Sequence, residues 1–131
     1  MAKSANEKPV SMVSNGDMSA KQYYICKLHT VEGEIIIASG ATDRPFGVVT
    51  NEPAAGEEAR VVTVGSGAIC KVVSDGSGTA IAINDLVGTD AAGKAVKKTA
   101  DADLIIGIAM QASTTRARVI EVLLIGGQRA S

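Results

Sequence analysis

Aromatic residues are almost missing from this chain. Its 131 residues include no Trp, two Tyr and one Phe. A carbohydrate-binding platform needs flat rings for sugars to stack on, and only Tyr23, Tyr24 and Phe46 are present. Proline is scarce at three residues, against fourteen glycines. That ratio points to many tight turns and not to a Pro-rich disordered chain. Neither sign of charge is in excess: Lys plus Arg is 13, Asp plus Glu is 14, and the formal net charge is −1. A dedicated nucleic-acid binder needs a basic face to release counterions, so no direct nucleic-acid partner is expected. No apolar run reaches the roughly 18 residues of a membrane span. The opening MAKSANEKPVSMV has no apolar core of a signal peptide.

The chemistry-bearing residues are also few. His29 is the only histidine, with no second ligand or nucleophile beside it in sequence. Cys26 and Cys70 are the only cysteines, and no CxxC frames them as a zinc or redox site. Two reduced, buried thiols are the plainer reading. A disulfide within or between subunits stays open, because pairing depends on Cβ geometry. Gly65-Ser66-Gly67 lacks the lysine and hydroxyl of a phosphate loop and reads as a hairpin turn. Asp90, Asp101 and Asp103 lack the spacing of a calcium loop. The expectation is no catalytic residue, no metal, no cofactor and no enzyme activity.

What remains is short strands. Hydrophobic residues make up 46% of the chain, most of them Val, Ile, Leu and Ala, which suits a thin barrel or sandwich. From Gly76 to Ala109, apolar runs at Ala80–Ile83, Leu86-Val87, Ala95-Val96 and Leu104–Ala109 are separated by Gly, Asp and Asn. Each is too short for a helix and bounded by turn residues. Further strands are predicted at Tyr23–Val31, Glu34–Ala38, Gly47–Val49, Ala59–Val64, Ala68–Val73 and Leu123–Ile125. Thr99 is positioned to cap one helical turn.

The chain also echoes itself. ARVVTV at 59–64 returns as ARVIEV at 117–122, an offset of 58. Gly47-Val48-Val49 returns as Gly107-Ile108-Ala109, an offset of 60. Two similar hairpins on one barrel or sandwich would explain both; coincidence between β-rich stretches would too.

Residues 1–20 have no sustained period and read either as a frayed end or as an arm that orders on a partner. Pro9, Val10, Met12 and Val13 are its candidate apolar anchors, and Lys3 and Lys8 add salt-sensitive attraction to an acidic surface.

The order EGEIIIASGA, RPFGVVTNEPAAGEEARVVTVGSGAICKVV, GTAIAINDLVGTDAAGKAV and LIIGIAMQA…ARVIEVLL resembles the head decoration, or capsid cement, proteins of tailed bacteriophages. The resemblance spans about Glu32 to Leu124. It implies a mainly β fold: a small barrel-like or sandwich-like module with at most one or two short helices. An extended arm (1–20) would precede the decoration domain (21–131). It further implies a virion protein assembled in the host bacterial cytoplasm. Its partners would be the major capsid protein on the outer surface of the expanded shell, and itself, as a homotrimer clamping neighbouring capsomers. The residues 1–20 anchors would then be partner-binding. The runner-up is a lipoyl- or biotinyl-type carrier domain, suggested by GSGAICKVVSDGSGTAIAINDLV. A carrier needs a lysine displayed at a hairpin tip, and Lys97 and Lys98 are the nearest candidates.

Overall fold

A computed structural model describes residues 9–127. Ten strands follow in order: β1 (Val10–Ser14), β2 (Ile25–Leu28), β3 (Glu34–Ile37), β4 (Gly47–Val49), β5 (Glu58–Thr63), β6 (Ile69–Ser74), β7 (Leu86–Thr89), β8 (Ala95–Lys97), β9 (Gly107–Ala109) and β10 (Arg118–Leu124). They close into two five-stranded barrels, β1-β3-β2-β4-β5 and β10-β6-β8-β7-β9. The predicted β fold is therefore found, and among the described residues there is no helix. Residues 101–102 form only a turn. The carboxylate of Asp103 accepts the Ala100 N–H there, in place of a cap at Thr99.

The two barrels are one design used twice. β1 pairs with β3 in parallel and with β5 antiparallel. β6 pairs in the same way with β8 and β10. The antiparallel pairs β2–β3, β2–β4 and β4–β5 recur as β7–β8, β7–β9 and β9–β10. Register fixes the correspondence. Ser14 stands opposite Ile35, as Ser74 stands opposite Ala95, both 60 residues on. Ile25 faces Val48, as Leu86 faces Ile108. Val61 faces Val49, as Val122 faces Ala109. Every equivalent residue is thus 60 or 61 positions later.

The predicted echo is real for the glycines and out of register for the hexapeptides. At an offset of 58, Val61 would correspond to Val119. Val61 is fully buried, whereas Val119 is 40% exposed. A slip of three, being odd, turns every side chain to the other face of the strand.

Small details repeat as well. Tyr23 N–H donates to Val49 O at 2.6 Å, and Asn84 N–H to Ala109 O at 2.7 Å. Tyr23 (φ 70°) and Asn84 (φ 80°) are both left-handed, a region that costs a non-glycine residue energy unless its surroundings hold it. Arg60 N–H donates to Asn51 Oδ1 and Glu121 N–H to Gln111 Oε1, both at 2.9 Å. Gly47 and Gly107 share one constraint. A Cβ on Gly47 would come within 2.5 Å of Val62 O, and one on Gly107 would strike Leu123 O. The neighbouring strand passes too close for any side chain.

The cores differ. Barrel one encloses Met18, Cys26, Ile35, Val49, Ala59 and Val61, with Met12, Ile37 and Phe46 against them. The larger cluster fills barrel two with Cys70, Val72, Ile81, Val87, Ile106, Ile120, Val122 and Leu124. It also takes in Ile25, Ala38, Val48 and Val62 of barrel one. Ile25, Val48 and Val62 alternate with barrel-one core residues along their strands, so they point outward and dock barrel one on barrel two. This is why Gly47–Val49 is buried on both faces.

The docking uses a gap. In barrel one, Val13 N–H donates to Gly33 O at 2.9 Å across the β1–β3 seam. The equivalent groups in barrel two, Val73 N–H and Gly93 O, do not meet. Val73 N–H donates to Tyr23 O at 2.9 Å, and Gly93 O accepts Ile25 N–H at 2.8 Å. The Tyr23–Ile25 segment of barrel one thus lies between β6 and β8, which retain only the Ser74–Ala95 pair.

Candidate functional site

The segment predicted to be an arm is partly structural. The sequence predicts strands only from Tyr23 onward, but Val10–Ser14 is β1 and closes barrel one between β5 and β3. Its sequence, VSMVS, hides the strand because outward positions carry Val and Ser alike. Partner strands supply the order that local pattern lacks. Met12 is not free to anchor on a partner, because it packs against the barrel-one core. Val10 and Val13 are exposed at 39% and 41%, and Pro9 is exposed beside them. Lys3 and Lys8 lie outside the described residues.

Around the same end of barrel one lie two further exposed apolar side chains, Leu28 and Val31. Val31 belongs to the turn that receives β1, since Gly33 O accepts the Val13 N–H. A hollow of ≈ 220 Å³ opens beside Leu28, lined by Lys27, Arg44, Pro45 and Phe46. Asp43 braces its rim. The carboxylate accepts the Ser39 and Gly40 N–H groups, both at 2.9 Å, and pairs with Lys27 Nζ at 2.8 Å. Lys27, then the Ser39 N–H, holds the Asp43 carboxyl below the usual carboxylate range. No sequence pattern marks this hollow, because Lys27-Leu28 belongs to β2 and Arg44-Pro45-Phe46 to the loop ahead of β4.

The chemistry-bearing residues are engaged elsewhere. His29 Nδ1 accepts the Val31 N–H at 3.3 Å, so it serves its own turn. Cys26 and Cys70 are both buried, one in each barrel core, and no disulfide joins them, so the open alternative of a disulfide within this chain is not realised. Burial pushes the Cys26 thiol up to about 12, against the Gly47 backbone hydrogen bond that lowers it. Among the described residues no group of His, Cys, Asp and Glu is placed to hold a metal. Neither candidate carrier lysine stands free at a hairpin tip. Lys97 Nζ pairs with Asp85 at 3.6 Å, and Lys98 Nζ donates to Ala41 O at 3.0 Å.

Exposed apolar side chains beside a braced charged rim make a surface suited to binding. The family model described as "phage cement protein" matches residues 17–124. The chain belongs to that family. As a phage cement protein it is a structural, capsid-associated component of the virion. The match begins at Asp17, so β1 lies before it, although β1 is needed to close barrel one. Among solved structures, the N base of head fibre gp8.5 of bacteriophage phi29 is similar in fold, with a TM-score of 0.65. It is 14% identical, over 89% of this chain and 92% of that one. No curated protein matches this chain.

Proposed function

We propose that this cement protein binds the outer surface of the expanded capsid and stabilises it by clamping neighbouring capsomers, as a homotrimer added in the host cytoplasm. The observation that carries the reading is the family match across residues 17–124, and with it the braced apolar surface at one end of barrel one. The surface sits on a closed, hydrogen-bonded barrel, which limits the conformational entropy lost when it docks. Capsid and neighbour contacts are assigned to Pro9, Val10 and Val13, with Lys3 and Lys8 ahead of them, and to the Leu28–Phe46 hollow.

The stabilisation follows from mass action. A protein that binds the expanded shell and not its dissociated subunits adds about 2.7 kcal/mol per site at 100 times its dissociation constant. Summed over many sites, this opposes outward pressure from packaged DNA. The test is co-sedimentation with expanded shells and with unexpanded precursors. Binding to expanded shells alone is expected, and equal binding to both would overturn the reading.

A further inference from the structure

Barrel one docks through an outward apolar stripe, Ile25, Val48 and Val62, which barrel two covers completely. The repeat places Leu86, Ile108 and Leu123 at the same three positions of barrel two. These residues are cross-strand neighbours: Leu86 faces Ile108, and Ile108 faces Leu123. Leu123 also faces Ile69 on the next strand. All four side chains alternate with buried core positions, so all four point outward, and all remain partly exposed. Ile125, two residues beyond Leu123, extends the stripe and is 44% exposed. Barrel two therefore carries, only partly covered, the counterpart of the surface by which barrel one is held.

The receiving side has a counterpart too. Val73, only 7% exposed, lies where Tyr23 of barrel one docks, and its equivalent is Val13, 41% exposed. Gly93 corresponds to Gly33, beside which Val31 is exposed. Counterparts of both faces of the internal contact thus recur on opposite partners, with side chains still partly exposed, although the barrel-one seam itself is closed.

We propose that the Leu86–Ile108–Leu123–Ile69 stripe of one molecule packs against the Val13 and Val31 face of barrel one in a second copy of this chain. The contact repeats the internal docking head to tail, so it is heterologous and closes into a ring when its rotation allows. It differs from the internal contact in one respect. The barrel-one seam is already closed by the Val13–Gly33 bond, so the neighbour packs side-on without inserting a strand. The Leu28–Phe46 hollow remains open for the capsid. The inference rests on the homo-oligomeric part of the function proposed above, and it needs no capsid to be tested.

The test is sedimentation equilibrium of the full chain without capsids, together with cysteine cross-linking. The native protein should self-associate, and Ile108→Glu with Leu123→Glu should weaken association by about tenfold or more while the far-ultraviolet spectrum stays unchanged. Val13→Cys protein mixed with Ile108→Cys protein should form a disulfide-linked heterodimer on oxidation, since both native cysteines are buried. A native chain that stays monomeric overturns the proposal, and so does a mixture that cross-links no more than either variant alone. Self-association without binding to expanded shells would instead sink the capsid reading and leave the stripe intact.

Discussion

Barrel one and barrel two share strand order, register and even their left-handed residues, yet they are built from different side chains. Tyr23 and Asn84 occupy equivalent left-handed positions. Cys26 and Val87 fill equivalent core positions, and Ser14 and Ser74 are both buried at the ends of β1 and β6. Ser14 Oγ donates to Ala54 O at 2.7 Å, and Ser74 Oγ to Arg118 O at the same distance. The fold tolerates these exchanges because backbone pairing and a few close approaches specify it. The barrels differ where they meet: one offers a stripe, and the other opens its seam to receive the adjoining strand.

That comparison is sharpened most by the stripe. Ile25→Ala removes a fully buried side chain at the barrel junction and should cost about 2–5 kcal/mol. Leu86→Ala, at the equivalent and partly exposed position, should cost about 1 kcal/mol or less in dilute solution. Denaturant unfolding of the two variants checks this; equal costs would mean that the stripes are not environmentally different.

Next come the paired glycines. Gly107→Ala and Gly47→Ala should each cost about 1–3 kcal/mol, through overpacking against a backbone carbonyl. Gly107 should be the more sensitive, because its Cβ would meet Leu123 O more closely than that of Gly47 meets Val62 O. Reversed order in thermal unfolding would break the match between β4–β5 and β9–β10.

The side-chain clasps should separate by less. Asn51 both accepts from Arg60 N–H and donates to Glu58 O, whereas Gln111 accepts from Glu121 N–H. Asn51→Ala should cost about 1 kcal/mol, and Gln111→Ala about half of that. Hydrogen exchange at the Arg60 and Glu121 amides would report the loss locally.

Cys26→Val should change stability at neutral pH by the least, within about 1 kcal/mol, since Val87 already fills the equivalent place. Its effect lies at alkaline pH. Burial raises the native Cys26 thiol from its ordinary value of 9.0 to about 12. Its contribution is therefore complete below pH 9 and is lost as pH rises toward 12, because the unfolded thiol ionises first. The wild type should lose stability over that window relative to Cys26→Val, and parallel profiles would refute the assignment.

Much of this architecture was legible in the residues. Short apolar runs between Gly, Asp and Asn gave most strands, and Gly47-Val48-Val49 with Gly107-Ile108-Ala109 gave the repeat at its true offset. The hexapeptides misled because strands of Val, Ile and Ala match one another at several shifts, and only burial distinguishes the faces. Ser14-Asn15-Gly16 and Ser74-Asp75-Gly76 carry the offset of 60 correctly. As common turn residues, they gave no reason to be paired. β1 leaves no local pattern because its order comes from β3 and β5. The hollow and the partly covered stripe leave none either, because each is assembled from segments distant in sequence.

The interlocked seam also bears on how the chain matures. Barrel one can hydrogen-bond its own seam, whereas barrel two needs Tyr23 and Ile25 to satisfy Val73 and Gly93. During synthesis the N-terminal half emerges first, so the segment that seals the later half is already in place when β6 and β8 arrive. A circular permutant that releases barrel two first would present an unsealed strand edge to its neighbours, with misassembly as the consequence. The order of the two halves along the polypeptide is thus itself a safeguard against wrong partners.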